Sequence, residues 1–135
     1  MPKSRSNTVL VVEDDVNVRT MICRVLQKAR YTALEASNGT EAMHFFDQMQ
    51  DSIGLVITDI VMPGISGFDL IKRLRSLRPL VKSIYMSGYS NHPMFGKDEL
   101  ELHQSFLLKP FTTKALLKMV SETLGPTDLK LLHAL

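Results

Sequence analysis

The sequence predicts a doubly wound α/β domain built on a parallel five-stranded sheet. Five short runs of aliphatic and β-branched residues alternate with longer stretches whose apolar residues recur at helical spacing. Such an alternation favours a parallel sheet with helices on both faces, because the crossover connections are right-handed. The length of 135 residues suits one such domain.

The predicted strands are short apolar segments bounded by polar residues or turn formers. The third contains three consecutive aliphatic residues before its polar end, which is typical of a strand covered on both faces. We predict strands over residues 9–12, 31–36, 55–58, 81–86 and 105–108.

Helices are predicted wherever apolar residues recur every three or four positions. The segment 89–104 gives the weakest pattern, because Gly96 lies inside it and its apolar periodicity is poor. Thr112 is the predicted N-cap of the last helix, which Gly125 and Pro126 end. The other predicted helices cover residues 16–29, 41–49 and 68–77.

These elements predict a (βα)5 three-layer sandwich of the flavodoxin-like type, with strand order 2-1-3-4-5. The domain covers residues 8–125, after a polar lead-in over residues 1–7. Residues 126–135 form a leucine-containing tail. We interpret the tail as a linker, with the start of a partner-binding helix as the alternative.

Composition limits the classes of function. Sixteen basic and fourteen acidic residues give a net charge of +2, which is too balanced to indicate nucleic-acid binding. The single cysteine, Cys23, permits no intrachain disulfide and fits a reducing compartment. No apolar run approaches the roughly 20 residues that a membrane span needs, and the N-terminus does not resemble a signal peptide. We therefore expect a cytoplasmic protein.

Polar residues follow four of the predicted strands, at the point where each strand ends. They are Glu13 and Asp14 after the first strand, Asp59 after the third, Ser87 after the fourth and Lys109 after the fifth. Neighbouring parallel strands are about 5 Å apart and end at the same edge of the sheet, where ligands of such sheets bind. We therefore expect these side chains to form one pocket.

The charges of this pocket predict a divalent metal ion. Glu13, Asp14 and Asp59 bring three negative charges together, and two carboxylates about 4 Å apart repel by roughly 4 kcal/mol at an effective dielectric of about 20. Lys109 offsets one charge, and a divalent cation offsets the other two. Oxygen ligands favour a hard cation, Mg²⁺, or Mn²⁺ as its substitute. Helix capping and solubility are the alternative explanation of the acidic run.

A metal ion, a lysine and a hydroxyl around one carboxylate are typical of phosphoryl transfer. Asp59 is the candidate nucleophile, which would form an acyl phosphate. Lys109 would pair with one phosphoryl oxygen, and Ser87 would donate a hydrogen bond to it.

Four motifs carry a resemblance to a known family: residues 9–15, residues 59–67 with Met62-Pro63-Gly64, residues 87–89 and residues 109–111. Their key positions are separated by 45 residues from Asp14 to Asp59, 28 to Ser87 and 22 more to Lys109. With these spacings the chain resembles, over residues 8–124, the receiver domain of two-component response regulators.

The resemblance implies that Asp59 accepts a phosphoryl group from a phosphohistidine of a sensor histidine kinase or a histidine phosphotransfer protein. It also implies a Mg²⁺ site. Asp14 and Asp59 would be direct ligands, Glu13 would bind mostly through water, and the backbone carbonyl of Val61 would complete the protein ligands.

The same resemblance implies a switch. Ser87 would move toward the phosphoryl oxygen, and Phe106, at the family's switch-aromatic position, would rotate inward without a hydroxyl of its own. Ordinary core packing is the alternative role of Phe106. The Lys109–Pro110 bond would be cis, which aims the lysine into the pocket.

Two side chains are expected to control the lifetime of the acyl phosphate. Val61 lies two positions after Asp59, and Tyr89 lies two positions after Ser87. Both would overhang the phosphoryl group and hinder an attacking water, which predicts slow self-dephosphorylation.

The resemblance further implies a signalling module that catalyses only its own phosphorylation and dephosphorylation. A downstream protein target would bind the face formed by the fourth helix, the fifth strand and the fifth helix. No DNA-binding module follows Gly125, so we expect no direct contact with nucleic acid. The lack of a long apolar run predicts no contact with a membrane. A stand-alone regulator and a receiver from a hybrid sensor kinase both stay open.

Two other classes of function fit the pattern less well. A phosphatase of the haloacid-dehalogenase kind needs a second carboxylate two positions after its nucleophile, where this chain has Val61. A flavodoxin-like cofactor binder needs a Ser-, Thr- and Gly-containing loop after the first strand to receive phosphate. The acidic residues 13–15 would repel that phosphate.

Overall fold

The computed structural model describes residues 7–49, 51–88 and 105–125, in which five parallel strands form one sheet of order β2-β1-β3-β4-β5. The predicted flavodoxin-like order is confirmed. The strands are β1 (Thr8–Val12), β2 (Thr32–Ala36), β3 (Ile53–Asp59), β4 (Lys82–Ser87) and β5 (Ser105–Leu108).

Four helices lie in the described part of the chain: α1 (Val16–Lys28), α2 (Gly39–Met49), α3 (Gly67–Leu77) and α4 (Thr113–Leu124). Helix α4 is the one that the sequence predicts as the fifth. The prediction of a fourth helix over 89–104, the role of Tyr89, and the tail at 126–135 lie outside the described residues.

Side-chain caps fix where the helices begin. The predicted cap Thr112 is confirmed, because its hydroxyl accepts a hydrogen bond from the main-chain N–H of Ala115 at 3.0 Å. Asp15 caps α1 and Ser66 caps α3 in the same way. Since each cap satisfies a main-chain N–H that has no partner within its helix, it sets the point at which the chain leaves the strand-end loop.

Two element boundaries differ from the prediction. Strand β3 begins at Ile53, inside the predicted loop 50–54, because Ile53 is fully buried and pairs with Thr8 of β1. Helix α2 begins at Gly39, two residues early, and Gly39 packs closely against Ile65. In β3 tertiary packing overrides the local preference of Gly54 for a turn. Helix α2 begins at Gly39 because the side chain of Asn38 accepts a hydrogen bond from the main-chain N–H of Glu41 at 2.8 Å.

The core consists of two apolar layers, one on each face of the sheet. Strand β3 supplies both layers, with Val56 facing one and Leu55 and Ile57 facing the other. The first layer contains residues of α2 and α3, and the second contains residues of α1 and α4. Because β3 is buried along its whole length, it is a rigid support for the residue at its end, Asp59.

Helix α3 differs in part from its predicted pattern. Ile71 and Leu74 are buried as expected, but Leu77 is 49% exposed. Two basic residues at the end of this helix have structural roles: Arg75 donates to the hydroxyl of Ser83, and Arg78, directly after the helix, donates to a main-chain carbonyl of β3.

Cys23 is buried on α1 and belongs to the core layer shared with α4. Burial raises the pKa of its thiol to about 11, and the nearby Glu35 carboxylate adds to this increase. This environment indicates a packing role for Cys23. No helix in the described ranges is long and apolar enough to cross a membrane.

Candidate functional site

The ends of four strands bring the predicted polar residues to one edge of the sheet. Glu13 directly follows β1, Asp59 ends β3, Ser87 ends β4, and Lys109 directly follows β5. Since these four strands are neighbours in the order β1-β3-β4-β5, their carboxyl ends form one continuous row. The sequence-based expectation of a shared pocket therefore agrees with the topology.

The three acidic residues of the pocket converge. One carboxylate oxygen from each of Glu13, Asp14 and Asp59 lies within 4.8 Å of those of the other two. Glu13 and Asp59 are buried, with 1% and 8% of their surface exposed, whereas Asp14 is exposed. The pocket therefore has a buried floor with two carboxylates and an open side that a small ligand can enter.

Lys109 partly neutralises the two buried carboxylates. Its Nζ donates to Glu13 Oε1 at 2.7 Å and to Asp59 Oδ2 at 3.0 Å. Burial by itself lowers the pKa of Lys109, but the hydrogen bonds and charges of these two partners raise the pKa above its ordinary value. Lys109 is therefore a cation bound by the pocket. The Lys109–Pro110 bond is cis, as predicted.

Glu13, a partner of Lys109, has a raised pKa. Burial raises the pKa of its carboxyl, and the charge of Asp59 adds to that effect. The hydrogen bonds from Lys109 and from the main-chain N–H of Asp15 act in the opposite direction without cancelling it. Additional positive charge would thus stabilise the ionised form of this carboxyl.

The main chain around Asp59 is held from three sides. The buried hydroxyl of Thr58 donates to the carbonyl of Asp59 at 2.9 Å. The N–H of Ile60 donates to the carbonyl of Met86 at 3.0 Å, which extends the pairing of β3 with β4. At the start of α3, the N–H of Gly67 donates to the carbonyl of Ile60 at 2.8 Å.

Gly67 also makes a close approach that only glycine permits. A Cβ atom at this position would lie 2.2 Å from the carbonyl oxygen of Asp59 and 3.0 Å from the Cα of Ile60. These neighbours are main-chain atoms, so no side-chain rotation can make room. The glycine after Met62-Pro63-Gly64 therefore sets how closely α3 packs behind the site.

Ser87 is fully buried, and its hydroxyl donates to the carbonyl of Gly88 at 2.8 Å. The carbonyl of Ser87 accepts a hydrogen bond from the N–H of Lys109 at 2.8 Å, which ties the end of β4 to the start of the loop after β5. Ser87 therefore lies at the carboxyl edge of the sheet, as predicted, and its hydroxyl already donates to a main-chain carbonyl. The hydroxyl would have to rotate before it could donate to a ligand.

Phe106 and Val61, the two apolar residues of the prediction, lie in different environments. Phe106 is half-buried on β5, and its ring is 6.3 Å from that of Tyr85 in an edge-to-face arrangement. Tyr85 in turn contacts Phe68 of α3, with the ring centroids 4.7 Å apart. Val61 is 57% exposed, beside the pocket in sequence. The switch role of Phe106 and the metal-ligand role of the Val61 carbonyl stay predictions.

Arg19 is a residue near the pocket that the sequence analysis missed. Its Nη1 donates to the main-chain carbonyl of Glu13 at 2.7 Å, and its Nε donates to Glu35 Oε1 at 3.0 Å. An arginine on an amphipathic helix is usually a solvated residue, so its position in the sequence carries no signal of this contact.

The donor set fits Mg²⁺. Three carboxylates with converging oxygens, one of them exposed, give hard ligands and leave room for the waters that this ion retains. Neither Cys nor His belongs to this acidic group, so a softer metal finds no preferred ligand in it.

Comparison with known proteins identifies the family to which this chain belongs. A family model described as the response regulator receiver domain matches residues 9–121. The chain is 37% identical over 125 residues to the sensor kinase CckA of Brucella abortus (strain 2308), which covers 93% of this chain and 13% of that protein. It spans 15% and 25% of two other curated relatives, so it corresponds to one part of these much longer proteins.

Two solved structures show the same fold. A response regulator receiver domain protein from Clostridium thermocellum superposes with a TM-score of 0.81 at 26% identity, covering 90% of this chain and 97% of that one. The receiver domain of the hybrid histidine kinase CckA superposes with a TM-score of 0.74 at 30% identity, covering 87% and 99%. The acidic pocket, the strand order, the family model and the match to CckA of Brucella abortus agree. This chain belongs to the response regulator receiver domain family.

Proposed function

We propose that Asp59 is the phosphoryl acceptor of this receiver domain, and that its phosphorylation transmits a signal from a histidine kinase to a partner protein. The observation that carries the proposal is the convergence of the Glu13, Asp14 and Asp59 carboxylates, two of which, Glu13 and Asp59, bind the Nζ of Lys109. A cluster so rich in carboxylates is suited to a cation and a phosphoryl group together, because each compensates the charge of the other.

In the transfer step, a carboxylate oxygen of Asp59 attacks phosphorus while the bond from phosphorus to the histidine nitrogen breaks. The electron pair of that bond leaves with the imidazole. The main-chain hydrogen bonds around Asp59 fix the backbone from which its side chain extends, which limits the reorganisation needed before attack.

The negative charge of the phosphoryl group needs compensating positive charge in the pocket. Lys109 would exchange its contact with Asp59 Oδ2 for one with a phosphoryl oxygen, while its bond to Glu13 keeps the ammonium in the pocket. Glu13, Asp14 and Asp59 would hold Mg²⁺, with the carbonyl of Val61 as a further ligand. The ion supplies charge neutralisation and orientation of the phosphoryl oxygens.

Ser87 would couple the phosphorylation of Asp59 to a structural change in the rest of the fold. Its hydroxyl would leave the carbonyl of Gly88 and donate to the phosphoryl group. Because the carbonyl of Ser87 binds the N–H of Lys109, directly after β5, this movement would be coupled to β5, the strand that contains Phe106. We propose that a partner protein reads the surface at β5 and α4.

Receiver domains are signalling modules rather than classical enzymes. For this chain we propose that the pocket catalyses its own phosphorylation and its own hydrolysis, without a separate substrate. A phosphatase of the haloacid-dehalogenase kind is disfavoured, because Val61 occupies the position of the second carboxylate.

The proposal is tested by incubating the purified chain with acetyl phosphate, with Mg²⁺ or with excess EDTA. We expect labelling of the protein that is stable in acid and labile in base, as an acyl phosphate is, and that EDTA abolishes. Absence of labelling in Mg²⁺ would contradict the proposal for this chain.

Val61→Asn is expected to shorten the half-life of the phosphorylated protein several-fold. The exposed valine shields the acyl phosphate from water, whereas an amide can orient an attacking water. The measurement is loss of label after removal of the phosphodonor. Leu80→Asn is the control, because Leu80 is a still more exposed residue at the opposite edge of the sheet, before β4. An unchanged half-life in Val61→Asn would show that Val61 does not shield the group.

A further inference from the structure

Arg19 joins the end of β1 to the edge strand β2. One of its nitrogens holds the main-chain carbonyl of Glu13, and another holds the carboxylate of Glu35 on β2. The side chain is only 14% exposed, although Glu35 is 47% exposed. A guanidinium is planar and presents its donors in a fixed arrangement, so the two bonds together define the position of the Glu13 carbonyl.

Glu13 is consequently fixed at each of its polar groups. Its carbonyl is held by Arg19, and its peptide bond leads directly to Asp14, so the orientation of that carbonyl sets where the Asp14 side chain emerges. The N–H of Glu13 donates to the carbonyl of Ala36. Its two carboxylate oxygens accept hydrogen bonds from the N–H of Asp15 and the Nζ of Lys109.

The acidic cluster needs such restraint. The carboxylates of Glu13, Asp14 and Asp59 converge within 4.8 Å, and their mutual repulsion favours a movement of the Glu13–Asp14 segment away from β3. Asp14 is exposed and can move outward most easily. The bond from Arg19 to the Glu13 carbonyl opposes this movement.

We propose that Arg19 is a positioning residue of the metal site. It holds the Glu13–Asp14 segment at the distance from Asp59 that a divalent cation requires, and Glu35 fixes the guanidinium for that task. This inference rests on the proposed function, since it assumes that the pocket binds a divalent cation.

A positioning role and a simple charge effect predict opposite results. Arg19 is a cation near a cation site, so its removal would strengthen metal binding if only its charge mattered. If it positions the ligands, its removal weakens metal binding. Residues that orient metal ligands typically change affinity by about 10- to 100-fold when they are replaced. Arg19 acts through a main-chain carbonyl, so we expect the lower end of that range.

The test is a titration of the apoprotein with Mn²⁺, followed by electron paramagnetic resonance of the free ion. Arg19→Ala is expected to weaken Mn²⁺ binding about tenfold. Arg19→Lys retains the charge but cannot keep both bonds, so several-fold weakening is expected. Glu35→Ala should give a smaller loss. Arg24→Ala, which removes the same charge from an exposed position of α1, should leave the affinity unchanged.

Mn²⁺ binding by Arg19→Ala that equals or exceeds wild-type binding would overturn the inference. If circular dichroism shows that this variant does not fold, Arg19→Lys decides, and wild-type affinity in that variant overturns the inference. Failure of the wild-type protein itself to bind Mn²⁺ would refute the metal site of the proposed function and the positioning role with it. If the wild-type protein binds Mn²⁺ and the Arg19 variants bind it with the same affinity, the positioning role alone is refuted.

Discussion

Lys109→Met is expected to lower the rate of phosphorylation by acetyl phosphate by roughly 100-fold or more, the range seen when one preorganised donor to a developing charge is removed. The Nζ of Lys109 is the cation that bridges the two buried carboxylates at 2.7 and 3.0 Å. Without it, a phosphoryl group approaching Asp59 meets the negative charge of Glu13 with compensation from the metal ion alone.

The same variant should also be less stable in the absence of Mg²⁺. Removing one partner of a buried ion pair leaves the other charge without compensation, and the 25% exposure of Lys109 reduces that penalty to about 2 kcal/mol. Urea unfolding measures this change. Mn²⁺ affinity should not fall, since the three carboxylates stay in place and a competing cation is gone.

Lys118→Met is the matched control, because it removes a lysine from an exposed position of α4. It should change neither the rate of labelling nor the unfolding free energy. Labelling of Lys109→Met at the wild-type rate would contradict the role given to Lys109.

Gly67→Ala is expected to destabilise the fold by about 3 kcal/mol, at the upper end of what overpacking costs. The added Cβ would lie 2.2 Å from the carbonyl oxygen of Asp59, so α3 or the end of β3 must move. At this chain length the loss corresponds to a decrease in Tm of roughly 10 °C. Because the displaced atoms belong to Asp59 and Ile60, Mn²⁺ binding should weaken as well.

Gly88→Ala is the control for this substitution, since within the described residues no atom beyond its chain neighbours lies within 4 Å of the Cβ that it would add. Thermal unfolding followed by circular dichroism compares the two variants. A Tm of Gly67→Ala equal to that of the wild-type protein would show that α3 can move away from Asp59 at little cost.

The sequence allowed most of the sheet to be predicted, because its strands are apolar runs whose pattern does not depend on distant residues. The pocket followed from them, since parallel strands must end at one edge. The start of β3 was predicted two residues late, because the pairing of Ile53 with Thr8 is a tertiary contact that no local pattern shows.

The supporting contacts of the site were beyond prediction for the same reason. Arg19 reaches Glu13 only because α1 folds back beside the end of β1. The collision that makes Gly67 necessary involves the carbonyl of Asp59, eight positions earlier in the chain. The bond of the Ser87 hydroxyl to the carbonyl of Gly88 depends on a side-chain rotamer, which residue type alone does not determine.

The most direct test of the central claim is phosphoryl labelling of Asp59→Asn in Mg²⁺. Asn preserves the shape of the side chain but lacks the nucleophilic carboxylate, so we predict that labelling is lost while the fold is retained. Asp51→Asn, a change at an exposed acid in the turn before β3, should label like the wild-type protein. Wild-type labelling of Asp59→Asn would place the acceptor elsewhere and contradict the account.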